Sequence, residues 1–196
     1  MDYLTIKRTD HSEIIISLLN LYSFSEEQLF KFTDKLVHKK LKKKKFLIKP
    51  NQVPNSIAFI ISGSLRLYTQ TEHSELTIIF FTENLWVTDL ESLLLQQPSK
   101  NYIEAMENSE IASITLEDIH THMDIHPCFL ILNTLIANLT ISTTHIATIN
   151  TKNPDERYKE LLLKHPEWIN RFPQMQIASY LGMTPETLSR VRARVV

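Results

Sequence analysis

Near the C-terminus, Thr184, Glu186, Thr187, Ser189, Arg190, Arg192 and Arg194 are interleaved with apolar Leu188 and Val191. These polar types suit recognition of nucleic acid rather than the making of bonds. A carboxylate such as Glu186 accepts from the amino group of cytosine, and a guanidinium such as Arg190 can pair both acceptors of guanine. Hydroxyls and further arginines reach phosphates. Residues 171–196 hold four arginines against one glutamate, a local +3 on a chain of net charge −1. Solvated faces usually mix signs, so the imbalance points to a polyanion. A plain helical hairpin explains the apolar residues equally well but leaves the charge unexplained. For Arg192 and Arg194, complementing the dipole of a helix C-terminus is as good an account as phosphate contact.

Two short helices must position these groups. Ile177, Ala178 and Leu181 make an apolar helical face, and Gly182 follows as a residue that tolerates a left-handed turn. Thr184 then suits an N-cap, Pro185 the first helical position, and Leu188 and Val191 the inward side of the second helix. Small Ala178, with Leu188 folding back on it, gives the expectation of a helix-turn-helix.

Composition removes several alternatives. Only Gly63 and Gly182 are glycines, so neither a P-loop nor a GxGxxG dinucleotide loop exists in the chain. The single cysteine, Cys128, allows no internal disulfide and no cluster held by four cysteines, and it fits a reducing, cytoplasmic setting. No apolar run approaches the ~20 residues of a membrane span, and the N-terminus does not read as a signal peptide. No Ser/His/Asp order or metal-ligand spacing rises above chance, so no catalytic residues, no metal and no cofactor are expected, and the chain reads as no enzyme. His120, His122 and His126, with Asp118 and Cys128 nearby, read as a polar strand-to-helix connection before they read as a metal site. Nothing locates a haem pocket.

In chain order, residues 1–24 read as a leading helix. Ser25-Glu26-Glu27-Gln28 is a capping box for a second helix through Leu36, which runs into the basic stretch Lys39 to Lys45. That stretch reads as a solvated loop ahead of a strand. From Phe46 the hydrophobic period falls to two, with strands at Phe46–Ile48, Ile57–Ile61, Leu65–Tyr68, Leu76–Phe81, Tyr102–Ala105 and Ile111–Ile114, separated by polar turns. Many short strands with no long helix between them predict a barrel or jelly roll. Thr88-Asp89-Leu90-Glu91 reads as a capping box opening one short helix to Gln96. From about 125 to 150 the helical period returns, with more apolar surface than a barrel would cover, so a two-fold partner is expected. Asn153-Pro154 reads as a hinge. The expected domains are 1–150, with the dimerisation helix at about 125–150, and 151–196.

Together these pieces resemble the catabolite activator (cyclic-AMP receptor)/fumarate–nitrate regulator family of bacterial transcription factors, essentially over the full length. The residues that carry the resemblance are Ile177 to Arg190, Phe59 to Arg66, and Phe80-Phe81-Thr82-Glu83-Asn84 leading to Ser92-Leu93-Leu94, in a glycine-poor form. The resemblance implies an α+β fold: a cyclic-nucleotide-binding-like β jelly roll, a long dimerisation helix and a C-terminal helix-turn-helix (winged-helix-like) domain. It implies a homodimer that reads double-stranded DNA, with Glu186 and Arg190 at the family's base-reading positions.

At the effector site the sequence departs from the family. Cyclic-AMP binders carry Gly-Glu at the start of the short helix and an Arg-Ser-Ala or Arg-Thr-Ala after it. Here the matching stretches are Thr88-Asp89-Leu90-Glu91 and Ser99-Lys100-Asn101, and Lys100 is the nearest cation. A cyclic phosphate would lose its guanidinium partner and meet two carboxylates. Ser142 and Thr143 fall where family members contact a ligand's base, although hydroxyls on a Thr-rich helix serve as well as surface groups. The reading is therefore a DNA-binding transcription regulator without a membrane partner, controlled by an unidentified small effector other than cyclic AMP or by none. The alternative is a ligand-binding sensor or interaction module whose helix-turn-helix no longer binds DNA.

Overall fold

The computed structural model describes residues 11–21, 23–72, 74–122, 145–149 and 151–195. Helices α1 (Ser12–Leu21) and α2 (Glu26–Asp34) lead into eight strands: β1 (Val37–Leu41), β2 (Phe46–Ile48), β3 (Ser56–Ser62), β4 (Leu65–Gln70), β5 (Glu75–Phe81), β6 (Trp86–Val87), β7 (Asn101–Ala105) and β8 (Ser109–Thr115). Helix α3 (Leu90–Leu95) lies between β6 and β7, and α4 (Leu116–His122) follows β8. The C-terminal part consists of α5 (Pro154–Lys164), α6 (Trp168–Arg171), α7 (Gln174–Tyr180) and α8 (Pro185–Val195).

The strands form two four-stranded antiparallel sheets, ordered β1-β8-β3-β6 and β2-β7-β4-β5. This is the expected jelly roll, and β3 shows why the sequence makes it. Ala58 and Ile60 point into the barrel with Leu65, Ile79, Phe81, Val87, Ile103 and Ile111. Ile57 and Phe59 point the other way, into a second cluster with Ile14 and Leu18 of α1, Phe32 of α2, Trp86 and Leu93. A continuous apolar run is what a strand buried on both faces requires. The outer cluster is tightened by edge-on packing of Trp86 against Phe59 and Phe32, at centroid separations of 5.1 and 5.9 Å.

Several boundaries differ from the sequence expectation. The basic stretch is not all loop, because Val37–Leu41 is β1, an edge strand paired with β8. Lysines deplete strands by propensity, and pairing overrides that here. Helix α2 stops at Asp34, and the Trp86–Val87 strand has no signal beyond two apolar residues. Asp89, not Thr88, caps α3; the Thr88 hydroxyl donates instead to the Ser56 carbonyl at 3.1 Å. Asn153-Pro154, expected as a hinge, forms a capped helix start. Asn153 accepts from Glu156 N at 3.0 Å, Glu156 answers on Asn153 N at 3.1 Å, and Pro154 takes the first turn. Most of the helix expected at 125–150 lies outside the described residues, within which 145–149 are helical.

One feature was absent from the expectation: the C-terminal helices pack on the outer face of the β2-β7-β4-β5 sheet. The β4–β5 register shifts between Leu67 and Tyr68, so both Thr77 and Phe80 stand opposite outward residues, Tyr68 and Arg66. Phe80 enters the C-terminal aromatic cluster, stacked on Phe172 at 4.1 Å and edge-on to Trp168 at 5.2 Å. Beside it, Ser179 of α7 donates to the Glu75 carbonyl at 2.7 Å and accepts from Thr77 N at 2.9 Å.

Candidate nucleic-acid interface and effector cassette

Helices α7 and α8 form the pair expected from the sequence. Ile177, Ala178, Leu181, Leu188 and Val191 are all buried, so the apolar positions face each other and the C-terminal core. Gly182 takes φ 60°, and a Cβ there would collide with Ile149 Cγ2. The turn's carbonyls have side-chain partners. His145 Nε2 meets the Tyr180 carbonyl at 2.6 Å, and Arg157 donates to the carbonyls of Leu181 and Gly182. His145 also stacks on the Tyr180 ring at 3.8 Å. Burial holds the His145 imidazole below its ordinary range despite that carbonyl, and burial followed by Glu160 pushes the Tyr180 phenol up to about 12.

With its apolar side committed, α8 turns the other side outward. Thr184, Glu186, Ser189, Arg190, Arg192 and Arg194 are exposed and Thr187 is half-buried. Thr184 caps the helix by accepting from Thr187 N at 3.2 Å, and Arg190 leans on the Thr187 hydroxyl at 3.2 Å. Glu186 is held below the ordinary carboxylate range by its own backbone N–H and then by the Thr184 hydroxyl. Gln174 Nε2 reaches the Pro185 carbonyl at 3.4 Å, tying the starts of α7 and α8 together. Between them lies a shallow cleft of about 520 Å³ bordered by Gln174, Glu186, Ser189 and Arg190. Arg194 is paired with Asp155 at 2.6 Å. This side of α8 thus presents one carboxylate, several hydroxyls and three guanidinium groups, one of them paired.

The cassette at the start of α3 is the opposite kind of site. Asp89, 4% exposed, accepts from the Ser99 hydroxyl at 2.6 Å, from Asn101 Nδ2 at 3.1 Å and from Ser92 N at 3.5 Å. Ser99, 1% exposed, in turn accepts from Asn101 N at 2.9 Å. Thr88, Asp89, Ser99 and Asn101 are thus brought together, Leu90 is buried in the outer apolar cluster, and Glu91 and Lys100 face solvent. Ser142 and Thr143 lie outside the described residues, as do His126 and Cys128 of the discounted metal reading. The chain's own carboxylate stands at the helix start, and among the described residues no cation is buried beside it. A half-open cleft of about 410 Å³ lies near the barrel's end, lined by Leu47, Ile48, Val53, Pro54 and Ala58 with Gln52, Asn55 and Ser56, and none of these is charged.

Sequence reasoning missed two arginines. Arg66, 2% exposed, lies on the outer sheet face, where it bonds Glu75 at 2.8 Å and Glu104 at 3.1 Å and stacks on Tyr68 at 4.0 Å. It points away from the barrel interior and is neutralised. Burial, then Glu104 and Glu75, push the Tyr68 phenol up to about 12. Arg171 bridges the C-terminal helices to the barrel, bonding Glu83 at 2.6 Å, Glu107 at 2.7 Å and the Gly63 carbonyl at 3.1 Å. That contact holds Glu83 below the usual carboxylate range. Burial raises Glu107, and the Ser64 hydroxyl and Arg171 together outweigh it. Alternation on β4 marks Arg66 as outward; nothing local marks Arg171, whose partners are 64 and 88 residues away.

Residues 38–126 match the cyclic nucleotide-binding domain family. No curated protein matches the chain by sequence. Among solved structures the chain is similar to FixK2 from Bradyrhizobium japonicum, at 16% identity and TM-score 0.69 over 82% of this chain and 84% of that one. It is also similar to CLP, a c-di-GMP responsive global regulator of Xanthomonas campestris, at 16% identity and TM-score 0.70 over 87% and 91%. A third is a structure from Eubacterium rectale assigned to the crp/fnr family of transcriptional regulators, at 22% identity and TM-score 0.67 over 87% and 83%. At these identities the likeness is one of fold.

Proposed function

We propose that this chain, which carries a cyclic nucleotide-binding domain at residues 38–126 in a fold shared with crp/fnr-type regulators, is a sequence-specific, homodimeric DNA-binding transcription regulator. The observation that carries the reading is the division of α8, with Leu188 and Val191 buried and Glu186, Ser189, Arg190 and Arg192 exposed beside the start of α7. In this reading residues 151–196 are the DNA-binding unit and α7–α8 its helix-turn-helix. The start of α8 enters the major groove, Arg190 pairs guanine, and Glu186 accepts from cytosine. Thr184, Thr187 and Ser189 supply shorter contacts, and Arg192 and Arg194 reach phosphates, Arg194 by leaving Asp155. The helix expected at about 125–150 brings two copies together so that two α8 ridges enter successive grooves about 34 Å apart. In this reading the barrel takes a small effector other than cyclic AMP, or none, and the cleft lined by Ile48, Val53 and Ala58 suits an uncharged one.

Selection of bound duplexes from a random pool by the purified protein tests the reading. Enrichment of an inverted repeat with half-site centres about one helical turn apart is expected. With Arg190→Ala, preference at one base pair of each half-site should relax by about 1–3 kcal/mol. A protein that binds no duplex even at low salt, where phosphate contact alone suffices, would overturn the DNA reading.

A further inference from the structure

The turn between α7 and α8 is seated on the helical residues 145–149, in the stretch expected as a dimerisation helix. Gly182 comes so close to Ile149 that no Cβ fits between them, and Arg157 of α5 donates to the carbonyls of Leu181 and Gly182. His145 completes the seat. A carbonyl can only accept, so the 2.6 Å contact with Tyr180 O fixes a proton on Nε2 and leaves Nδ1 as the nitrogen that titrates. The ring also lies flat on the Tyr180 phenol, with 3.8 Å between centroids and 7° between planes. A second proton therefore puts a cation into a half-buried slot.

Among the described residues, the charged or titratable groups that bear on His145 are Tyr180 of α7 and Arg157, Glu160 and Lys164 of α5. Burial opposes the charge most strongly. The Tyr180 carbonyl and Glu160 favour it, and Lys164 and Arg157 oppose it. Glu160 helps little, because Lys152 and Lys164 each hold it at 2.6 Å. Glu160 is lowered to about 2 and Tyr180 raised to about 12, so between about pH 7.5 and 5.5 neither changes charge. An imidazole held below its ordinary 6.5 supports the seated state above that pH, and the support is lost as pH falls through the lowered value.

We propose that His145 is a positioning residue for DNA binding: the neutral imidazole holds the helix-turn-helix turn on the long helix, which fixes the spacing of the two α8 helices in a dimer, and a gained proton releases the turn. The inference rests on the homodimeric DNA-binding reading above. A single half-site needs one α8 and is indifferent to that spacing. A full repeat needs two at a fixed separation, so release should weaken the repeat and spare the half-site.

The test compares the selected repeat with a duplex carrying one half-site, at constant salt, for wild type, His145→Gln and His145→Ala. Glutamine keeps an N–H donor and does not titrate; alanine keeps neither donor nor ring. From about pH 7.5 to 5.5 the wild-type advantage of repeat over half-site should fall several-fold, within a limit of about tenfold per pH unit for each imidazole. The Gln variant should keep its advantage at both pH values, and the Ala variant should lack most of it at both. A wild-type advantage that ignores pH, a Gln variant that loses it in parallel with wild type, or an Ala variant that matches wild type at the higher pH overturns the proposal. In wild type alone, the His145 imidazole proton resonances should titrate at lower pH with the repeat bound than in free protein. An unchanged titration overturns the proposal whatever the variants do. Failure of wild type to bind either duplex even at low salt overturns the regulator reading instead.

Discussion

In the cassette at residues 88–101, Asp89 accepts from Ser99, Asn101 and Ser92, and almost none of this polarity reaches solvent. Along α8, Ser189, Arg190 and Arg192 stand exposed above a buried apolar seam, bonded at most to a neighbour on the same helix. Both regions are polar, and both lie at the start of a helix. One has satisfied its donors and acceptors within the chain, as a structural element must; the other has left them open, as a recognition surface must. Polar residue types alone therefore do not identify a binding site. What decides is whether the partners are already inside the molecule.

The sharpest way to break that contrast is Asp89→Ala. If the cassette is a closed structural network, removing its acceptor strands the Ser99 and Asn101 donors and uncaps α3, at a cost of about 2–3 kcal/mol. The midpoint of chemical denaturation should fall accordingly, while Glu186→Ala on α8 should move it far less and alter the selected DNA instead. An Asp89 variant as stable as wild type would mean that the cassette is not held by these bonds, and the contrast would fail.

A smaller effect is expected at Arg171, which fixes how α8 is presented relative to the barrel. Its guanidinium is about a quarter exposed, 27%, so solvent screening holds the cost of Arg171→Ala to about 1–2 kcal/mol. Glu83 and Glu107 have folded values below their ordinary 4.5, so their contribution is fully present above that pH and is lost as pH falls through the lowered values. Wild type should therefore lose stability below about pH 4.5 more steeply than Arg171→Ala, in which neither carboxylate has the guanidinium to lose. Parallel acid limbs in the two proteins would show that the bridge contributes nothing in solution.

The legibility of the chain followed the range of its interactions. Period two in Ile57–Ile61 and the Ala178–Gly182–Leu188 pattern are local signals, and the jelly roll and the α7–α8 pair followed from them. The Ser25 capping box was read correctly because its bonds span three residues. Thr88 and Asp89 are both good cap types, and only the fold selects Asp89. The seating of Phe80 among Trp168, Phe172 and Tyr180 depends on a β-bulge and on contacts about ninety residues apart, which no period encodes. Arg171 was hidden for the same reason. In the sequence, a cyclic phosphate lacks its arginine. The geometry adds the stronger reason that Asp89 already stands at the helix start.

That reason predicts an effect of zero. A ligand that binds only the folded state stabilises it by RT ln(1 + [L]/Kd), about 2.7 kcal/mol at a hundredfold excess over Kd. A resident cyclic-AMP site of ordinary affinity would thus raise the melting temperature by several degrees at millimolar nucleotide. Here the incoming phosphate would have to displace the Ser99 hydroxyl and the Asn101 amide from Asp89 and then sit against that carboxylate in a buried setting without a cation. The melting temperature should not move with cyclic AMP or cyclic GMP. Asp89→Asn, which removes the repulsion and keeps an acceptor, should not create binding either, because no guanidinium replaces the lost partner. A saturable upward shift in wild type would show that the network opens at little cost, and the cassette would then belong with α8 among the open surfaces.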